Sequence, residues 1–490
     1  MTFGAEGLPV HKFSAPRQTD QLVVVANRLP VSKVAGTRDE WRPSPGGLVS
    51  ALSPALEGRR STWVGWTGDA GATEPFDRDG IHFEPIELSE CEIEGFYEGF
   101  SNRTLWPLYH DAIRPPELNP EWWSRYVGVN ERYAARACLV AEAGALVWVH
   151  DYQLQLVPAM LRNLRPDLRI GFFLHTSFPP QELFMQLPWR RQLIEGMLGA
   201  DLVGFQVPLA ARNFAVLANR LAKAQGRGRE LNYGNRTVRI GAYPASIDVD
   251  RIRRIAESYE TELRAKEIRE QLGNPARVLL GVDRLDYTKG IEPRLIALKE
   301  MFAEGKLSVP DCVMVQIAVP TRDNVPAYVQ EREQIERLIG ELNGNFGQMG
   351  APAVHYLRQS VDIEELVALY LAADVLLVTA YKDGMNLVAK EYVASRIHDS
   401  GSVVLSEFAG AAQAMPAAYL VNPYDREAVK ASILAALQAP PAEERRRMRS
   451  LRRSVRSWTT SHWANAFLGV LESGQDTGID LDSSPVLVNS

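Results

Sequence analysis

Asp283-Arg284, with Lys289 five residues beyond Arg284, sets a guanidinium and an ammonium just past a short apolar run. Two fixed cations there could stabilise a leaving diphosphate, work that a metal does elsewhere. Five other apolar runs also end in polar residues: Asn27-Arg28, His150-Asp151, His175-Thr176-Ser177, Pro320-Thr321-Arg322 and Lys382-Asp383-Gly384-Met385-Asn386. The last passes through Gly384 into a helical pattern at Leu387, Val388, Ala389, Lys390 and Glu391. A helix start of that kind offers free amides and a positive end to an anion. Glu391 lies one turn in on the face of Leu387, where its carboxylate can accept both hydroxyls of a ribose. Gly46-Gly47 after Pro45 lets backbone amides approach a diphosphate, although paired glycines serve any tight turn. Each residue alone also fits a helix cap, a solvated loop charge or, for His175, a satisfied core position. Their convergence on six run ends is what points to phosphate and sugar chemistry.

Competing chemistries find less support. Asp-x-Asp pairs occur at Asp77/Asp79, Asp248/Asp250 and Asp480/Asp482, but the first falls in a polar loop, the second caps a helix and the third lies in the tail. No Walker A run, HExxH, GxSxG or GxGxxG is present, so dehydrogenase and hydrolase readings lose their main signals. Cys91, Cys138 and Cys312 have neither zinc nor disulfide spacing, and no resident metal or cofactor is expected.

The elements that must position these residues follow from hydrophobic periodicity. Near-continuous apolar runs at 22–26, 145–149, 170–174, 278–282, 313–318 and 375–379 predict strands buried on both faces. Helical periodicity follows at 155–164, 182–198, 291–302, 364–372 and 387–397, with a further helix at 48–56. Alternation of this kind predicts an α/β fold with parallel sheets, whose ligands bind beyond the carboxyl ends of the strands.

A chain of 490 residues with 46% hydrophobic and 23% charged content is too long for one core. The expected division is an extension over 1–20, one domain over 21–245, a second over 246–455, a helix over 456–472 packing back on the first domain, and a disordered tail over 473–490. The boundary follows a Gly-, Arg- and Asn-rich stretch at 226–236 and precedes a charged helix near Val249. A net charge of −6 argues against nucleic acid or anionic membrane as partner. With no apolar run of about 18 residues, a cytoplasmic protein acting on small molecules is expected.

The chain resembles the trehalose-6-phosphate synthase family over Val23 to His462. The resemblance is carried by Asn27-Arg28-Leu29-Pro30, Gly46-Gly47-Leu48, Trp63-Val64-Gly65-Trp66, Phe100-Ser101-Asn102 to Leu105-Trp106-Pro107, and Trp148-Val149-His150-Asp151-Tyr152. It continues through Gly171 to His175, Asp283 to Gly290, Asp383 to Glu391 and Val421 to Asp425. The resemblance implies a GT-B fold of two facing Rossmann-like domains and retaining transfer of glucose from a nucleotide diphosphate glucose (UDP-, ADP- or GDP-linked) to glucose 6-phosphate. It implies acceptor binding by Arg28, Tyr97, Trp106, Asp151 and Arg322. It places Gly46, Gly47, Arg284, Lys289, Val361 and the segment Asp383, Gly384, Met385, Asn386, Leu387, Val388, Ala389, Lys390, Glu391 at the nucleotide sugar. Catalysis would fall to Asp151, His175, Arg284, Lys289 and Asp383, with His175 and Asp383 holding the donor glucose. Some family members carry an aromatic residue at the position of Val361, which leaves the base open. Enzymes of this kind are commonly dimers or tetramers. A related synthase with another acceptor, such as glucosylglycerol phosphate synthase, and an inactive sugar-phosphate sensor are the competing readings.

Overall fold

The computed structural model describes residues 19–33, 41–43, 52, 56, 58–322 and 324–474. Gly46, Gly47, most of the helix expected at 48–56, Asp480/Asp482 and the tail lie outside the described residues.

The apolar runs become two mainly parallel sheets because strands of Val, Leu and Ile can bury both faces at once. Leu22, Val23, Val24 and Val25 are each 0% exposed. From one edge, the larger sheet runs Gln225–Arg227, Glu230–Tyr233, Arg236–Ala242, Leu202–Phe205, Arg169–Phe173, Leu146–His150, Leu22–Arg28, Ser61–Trp66, Ile81–Ile86 and Phe76–Arg78. Only its edges are antiparallel. The smaller sheet is parallel throughout, in the order Val354–Leu357, Cys312–Val319, Arg277–Arg284, Val375–Val378, Ser402–Ser406 and Tyr419–Val421.

Each sheet reverses its winding once, and the reversals locate the site. In the larger sheet the chain steps outward from Leu22–Arg28 in one direction, then returns to pair Leu146–His150 on its other side. The smaller sheet does the same at Arg277–Arg284 and Val375–Val378. A crevice opens beyond the strand ends at such a point. Arg28 and Asp151 stand at the first, and Arg284, Lys289 and Asp383 at the second.

The chain passes between the sheets at Tyr243 to Ile247 and returns near Trp458. Nε1 of Trp458 donates to the Pro244 carbonyl at 2.6 Å, and the Thr460 amide to Ile247 at 3.0 Å. The final helix, Thr460–Ser473, lies across the larger sheet. Phe467 stacks on Trp148 at 4.7 Å over a floor made by Gly171 and Gly204, where a Cβ would come within 2.7 and 2.6 Å of its ring.

Three local expectations change. The helix expected over 182–198 is two, Gln181–Phe184 and Arg190–Met197, because Pro188 lacks an amide proton and disfavours helical geometry before it. The 226–236 stretch contributes edge strands, its positive-φ glycines making the turns. Asp77 sits in the strand Phe76–Arg78 and faces His82 at 2.8 Å, a pairing of exposed neighbours rather than a loop. Asp248 caps the helix Val249–Ala256 as expected, accepting from the Arg251 amide at 2.9 Å. No helix among the described residues is long and apolar enough to cross a membrane.

Candidate active site

The strand Arg277–Arg284 runs into a tight turn that ends at Lys289. Nζ of Lys289 donates to Oδ2 of Asp383 at 2.7 Å, and Nδ2 of Asn386 reaches the same oxygen at 3.1 Å. Burial raises the pKa of Asp383, but the Lys289 ammonium outweighs it and holds the carboxyl below its usual range. The lysine is 7% exposed, so its charge acts through little water.

Asp286, in the same turn, is fully buried. Its Oδ1 accepts from the amide and hydroxyl of Thr288 at 3.0 and 2.9 Å. Its Oδ2 meets Nη1 of Arg322 at 3.1 Å and Nη2 of Arg284 at 4.0 Å. Despite burial, the Arg322, Arg284 and Lys289 charges bring its pKa to about 2. One carboxylate thereby aims two guanidiniums.

Arg322 reaches across to the larger lobe. Its Nη2 donates to the Tyr152 hydroxyl at 3.0 Å, and its guanidinium lies 3.9 Å from the centre of the Trp106 ring. Arg284 covers the same ring at 5.1 Å. Arg28, exposed at its strand end, stacks on Trp66 at 4.2 Å and lies 5.4 Å from Tyr97. Burial pushes the Tyr97 phenol up, yet Arg322, Arg28 and Arg284 together leave it below its ordinary value. A phenol acidified against its burial reports a strongly positive field, suited to a phosphate dianion.

On the facing sheet, Asp151 adopts φ 73°, ψ 172°, a region nearly confined to glycine. The His175 amide donates to its Oδ1 at 3.1 Å. Burial raises its pKa to about 6, only partly offset by backbone amides. His150 and His175 share a hydrogen bond between Nδ1 and Nε2 at 3.0 Å. Burial pushes His175 down to about 3 and His150 well below its ordinary value, so the pair is neutral and one ring must donate to the other.

Asp151 sets a pH dependence whose sign is fixed. Between pH 3.8 and about 6 the folded state holds a proton that the unfolded chain has lost. Stability therefore falls as pH rises through that window. Asp151→Asn is expected to remove the decline and to be about 1–2 kcal/mol more stable at pH 7.5 relative to its own value at pH 4, compared with the parent, while turnover falls. Denaturant unfolding at the two pH values checks it; an unchanged decline would exclude Asp151 as its source.

Between the lobes lies a cleft of ≈ 380 Å³. Asp151, His175, Arg284, Lys289 and Asp383 line it together with Met385, Asn386, Leu387, Val388 and Glu391. Gly384 is required where the lobes meet, since a Cβ there would lie 2.2 Å from the His175 carbonyl. Asn386 caps the helix Leu387–Ser395 through the Ala389 amide at 3.0 Å, so the amides left for a ligand are those before Ala389. Glu391 accepts from Tyr370 at 2.9 Å with its pKa raised by burial. Arg28, Tyr97, Trp106 and Arg322 form an adjoining cluster, joined to the cleft through Arg284.

The Lys390 side chain is buried at the passage between the lobes: its Nζ donates at 2.7 Å to the carbonyl of Ala245, itself a residue of the cleft wall, and burial brings its pKa to about 7. Val361 is half-buried and packs against the same core cluster of the smaller lobe as the cleft residues Leu387 and Val388. Sequence reasoning gave no role to Asp286, Tyr152, Tyr328 or His150. In sequence Asp286 resembles an ordinary cap two residues before Thr288, and only the long-range partners reveal its work.

The model of glycosyltransferase family 20 matches residues 20–473. The chain belongs to glycosyltransferase family 20. Within family 20, a trehalose-6-phosphate synthase of Mycolicibacterium gilvum is 53% identical over 476 residues, covering 94% of this chain and 95% of the relative. A UDP-forming α,α-trehalose-phosphate synthase of Burkholderia xenovorans, solved with glucose 6-phosphate, superposes with a TM-score of 0.85 at 32% identity, covering 92% and 100% of the two chains. An E. coli structure bound with UDP-2-fluoro glucose gives 0.85 at 32%, covering 92% and 99%. The two-lobed architecture is thus the GT-B arrangement of these family 20 enzymes.

Proposed function

We propose that the chain transfers glucose from a nucleotide diphosphate glucose to glucose 6-phosphate, forming α,α-trehalose 6-phosphate and nucleoside diphosphate. The observation that carries this reading is the convergence of Arg284 and Arg322 on one indole, Trp106, beside Asp286. That arrangement joins the cleft to a second, strongly positive cluster of side chains. The UDP-forming relatives and the UDP-sugar complex favour uridine as the base. A nucleotide-release assay with glucose 6-phosphate and UDP-, ADP- and GDP-glucose tests the activity. NMR of the product should show two α-anomeric protons. Release with glycerol 3-phosphate in place of glucose 6-phosphate would favour the other-acceptor reading, and no release with any pair would favour a sensor.

In this assignment Arg284 and Lys289 stabilise charge on the departing diphosphate, and the amides at the start of helix Leu387–Ser395 bind it further. Glu391 accepts from the ribose. Asp383, fixed by Lys289 and Asn386, holds hydroxyls of the donor glucose, and the neutral His175 steadies the sugar by a hydrogen bond. Arg322, Arg28 and Tyr97 take the acceptor phosphate, with Asp151 at the acceptor sugar.

Arg322→Ala removes a charge-assisted bond to the acceptor phosphate and should cost about 1.5–3 kcal/mol of glucose 6-phosphate binding. Nucleotide affinity should be spared. Calorimetric titration of each ligand checks the split, and an equal loss for the nucleotide would move Arg322 out of the acceptor pocket.

Retention by double displacement needs a carboxylate nucleophile behind the sugar, with a second carboxyl about 5–5.5 Å away. Asp151 is committed to the acceptor side and Asp383 to Lys289. Front-face attack remains: the acceptor's anomeric hydroxyl approaches where the diphosphate departs, and the departing phosphate oxygen takes its proton. Enzyme quenched during turnover of a slow fluorinated donor should carry no added hexose by mass spectrometry. A stoichiometric adduct on any side chain would overturn this route.

A further inference from the structure

On the smaller lobe, helix Pro441–Ser457 gathers positive charge in a chain whose net charge is −6. Arg446, Arg449, Arg452, Arg453 and Arg456 recur at helical spacing and line, with Asp399 alone opposing them, a groove of ≈ 490 Å³. An ordinary solvated helix face interleaves both signs at a spacing of three or four residues. Here no acidic residue follows Glu444 before the helix ends.

Internal neutralisation is incomplete. Asp399 is shared between Arg452, which its Oδ1 contacts closely, and Arg449 at 3.3 Å. Arg446 is held by Glu443 at the helix start. Among the described residues, Arg453 and Arg456 form no ion pair, and the buried Nε of Arg452 has no acceptor. Converging like charges repel, and the repulsion is relieved when a multivalent anion enters. Guanidinium forks match phosphate oxygens two at a time. The groove is a compact hollow on one helix, too short to track a nucleic-acid backbone. It also stands apart from the cleft: helix Leu387–Ser395 opens on the cleft at its first residues, whereas Asp399 follows its far end.

We propose that this groove is a second anion site, taking a small soluble molecule that carries two or three linked phosphates. Its phosphates replace Asp399 as the partner of Arg449 and Arg452 and supply counter-charge to Arg453 and Arg456.

Calorimetric titration of the full chain with inorganic tripolyphosphate, in four forms, tests the site. The parent should show two classes of binding. The double variant Arg453→Glu/Arg456→Glu should weaken one class at least tenfold while leaving the unfolding midpoint and kcat unchanged. Lys289→Ala should weaken only the other class, and the triple variant both. An isotherm unaffected by the double variant would overturn the groove site, whereas one unaffected by Lys289→Ala would count against the cleft assignment alone. Binding sensitive to the double variant but seen only with a single-stranded oligonucleotide, or only with phosphatidylglycerol vesicles, would also overturn it.

Discussion

Lys289→Ala should lose on the order of a hundredfold or more in kcat, the scale on which preorganised charge stabilisers act. The residue is nearly buried and meets Asp383 at 2.7 Å, so removal takes away a fixed charge and also strips Asp383 of its counter-ion. Burial then raises the pKa of Asp383 against little more than the Asn386 hydrogen bond, so the variant's remaining activity should fall on the acid side at a higher pH than the parent's. Because Lys289 and Arg284 are fixed side chains, parental turnover should survive exhaustive chelation. Steady-state kinetics from pH 5 to 9, with and without chelator, checks both statements. Loss of parental activity on chelation, restored by a divalent ion, would remove leaving-group stabilisation from this pair.

The second large effect belongs to Asp286→Asn. The exchange keeps the shape but removes the carboxylate at which Arg322 and Arg284 meet. Breaking one side of a buried pair costs about 3–5 kcal/mol, because the partner charge stays buried without compensation. Here the sign with pH is opposite to that of Asp151. Lowered from 3.8 to about 2, the Asp286 pKa lends the fold stability that is present above 3.8 and lost as pH falls through about 2. Asp286→Asn should therefore differ from the parent most at neutral pH and least near pH 2. It should also raise the KM for glucose 6-phosphate more than it lowers kcat, since Arg322 loses its aim. Equal stability of the two proteins at pH 7 would refute the role.

The strands that end at the cleft are legible because a parallel sheet buried on both faces writes itself as uninterrupted Val, Leu and Ile. The residues that follow such runs are, by topology, those beside the crevice: Arg28, Asp151, Arg284 and Asp383 all stand there. Less could be read where one residue type serves several purposes. Lys390 lies in a segment whose start does line the cleft, yet helical rotation carries its side chain to the Ala245 carbonyl. Asp286 and Tyr152 meet Arg322 across 36 and 170 residues of chain and Tyr328 meets Asp286 across 42, and these long-range pairings leave no mark in the local sequence. Ser61–Trp66 and Ile81–Ile86 were passed over as strands, since Gly65 and Pro85 interrupt their apolar pattern.

The bed made by Trp148, Gly171 and Gly204 has a consequence for how the protein is made. These residues leave the ribosome long before Phe467, the ring that covers them. Until helix Thr460–Ser473 emerges, the first sheet to be synthesised lacks the ring that stacks on Trp148, and the lobe that begins the chain is finished only by a helix made after the second lobe. A translation product stalled or shortened before Phe467 would expose this sticky face.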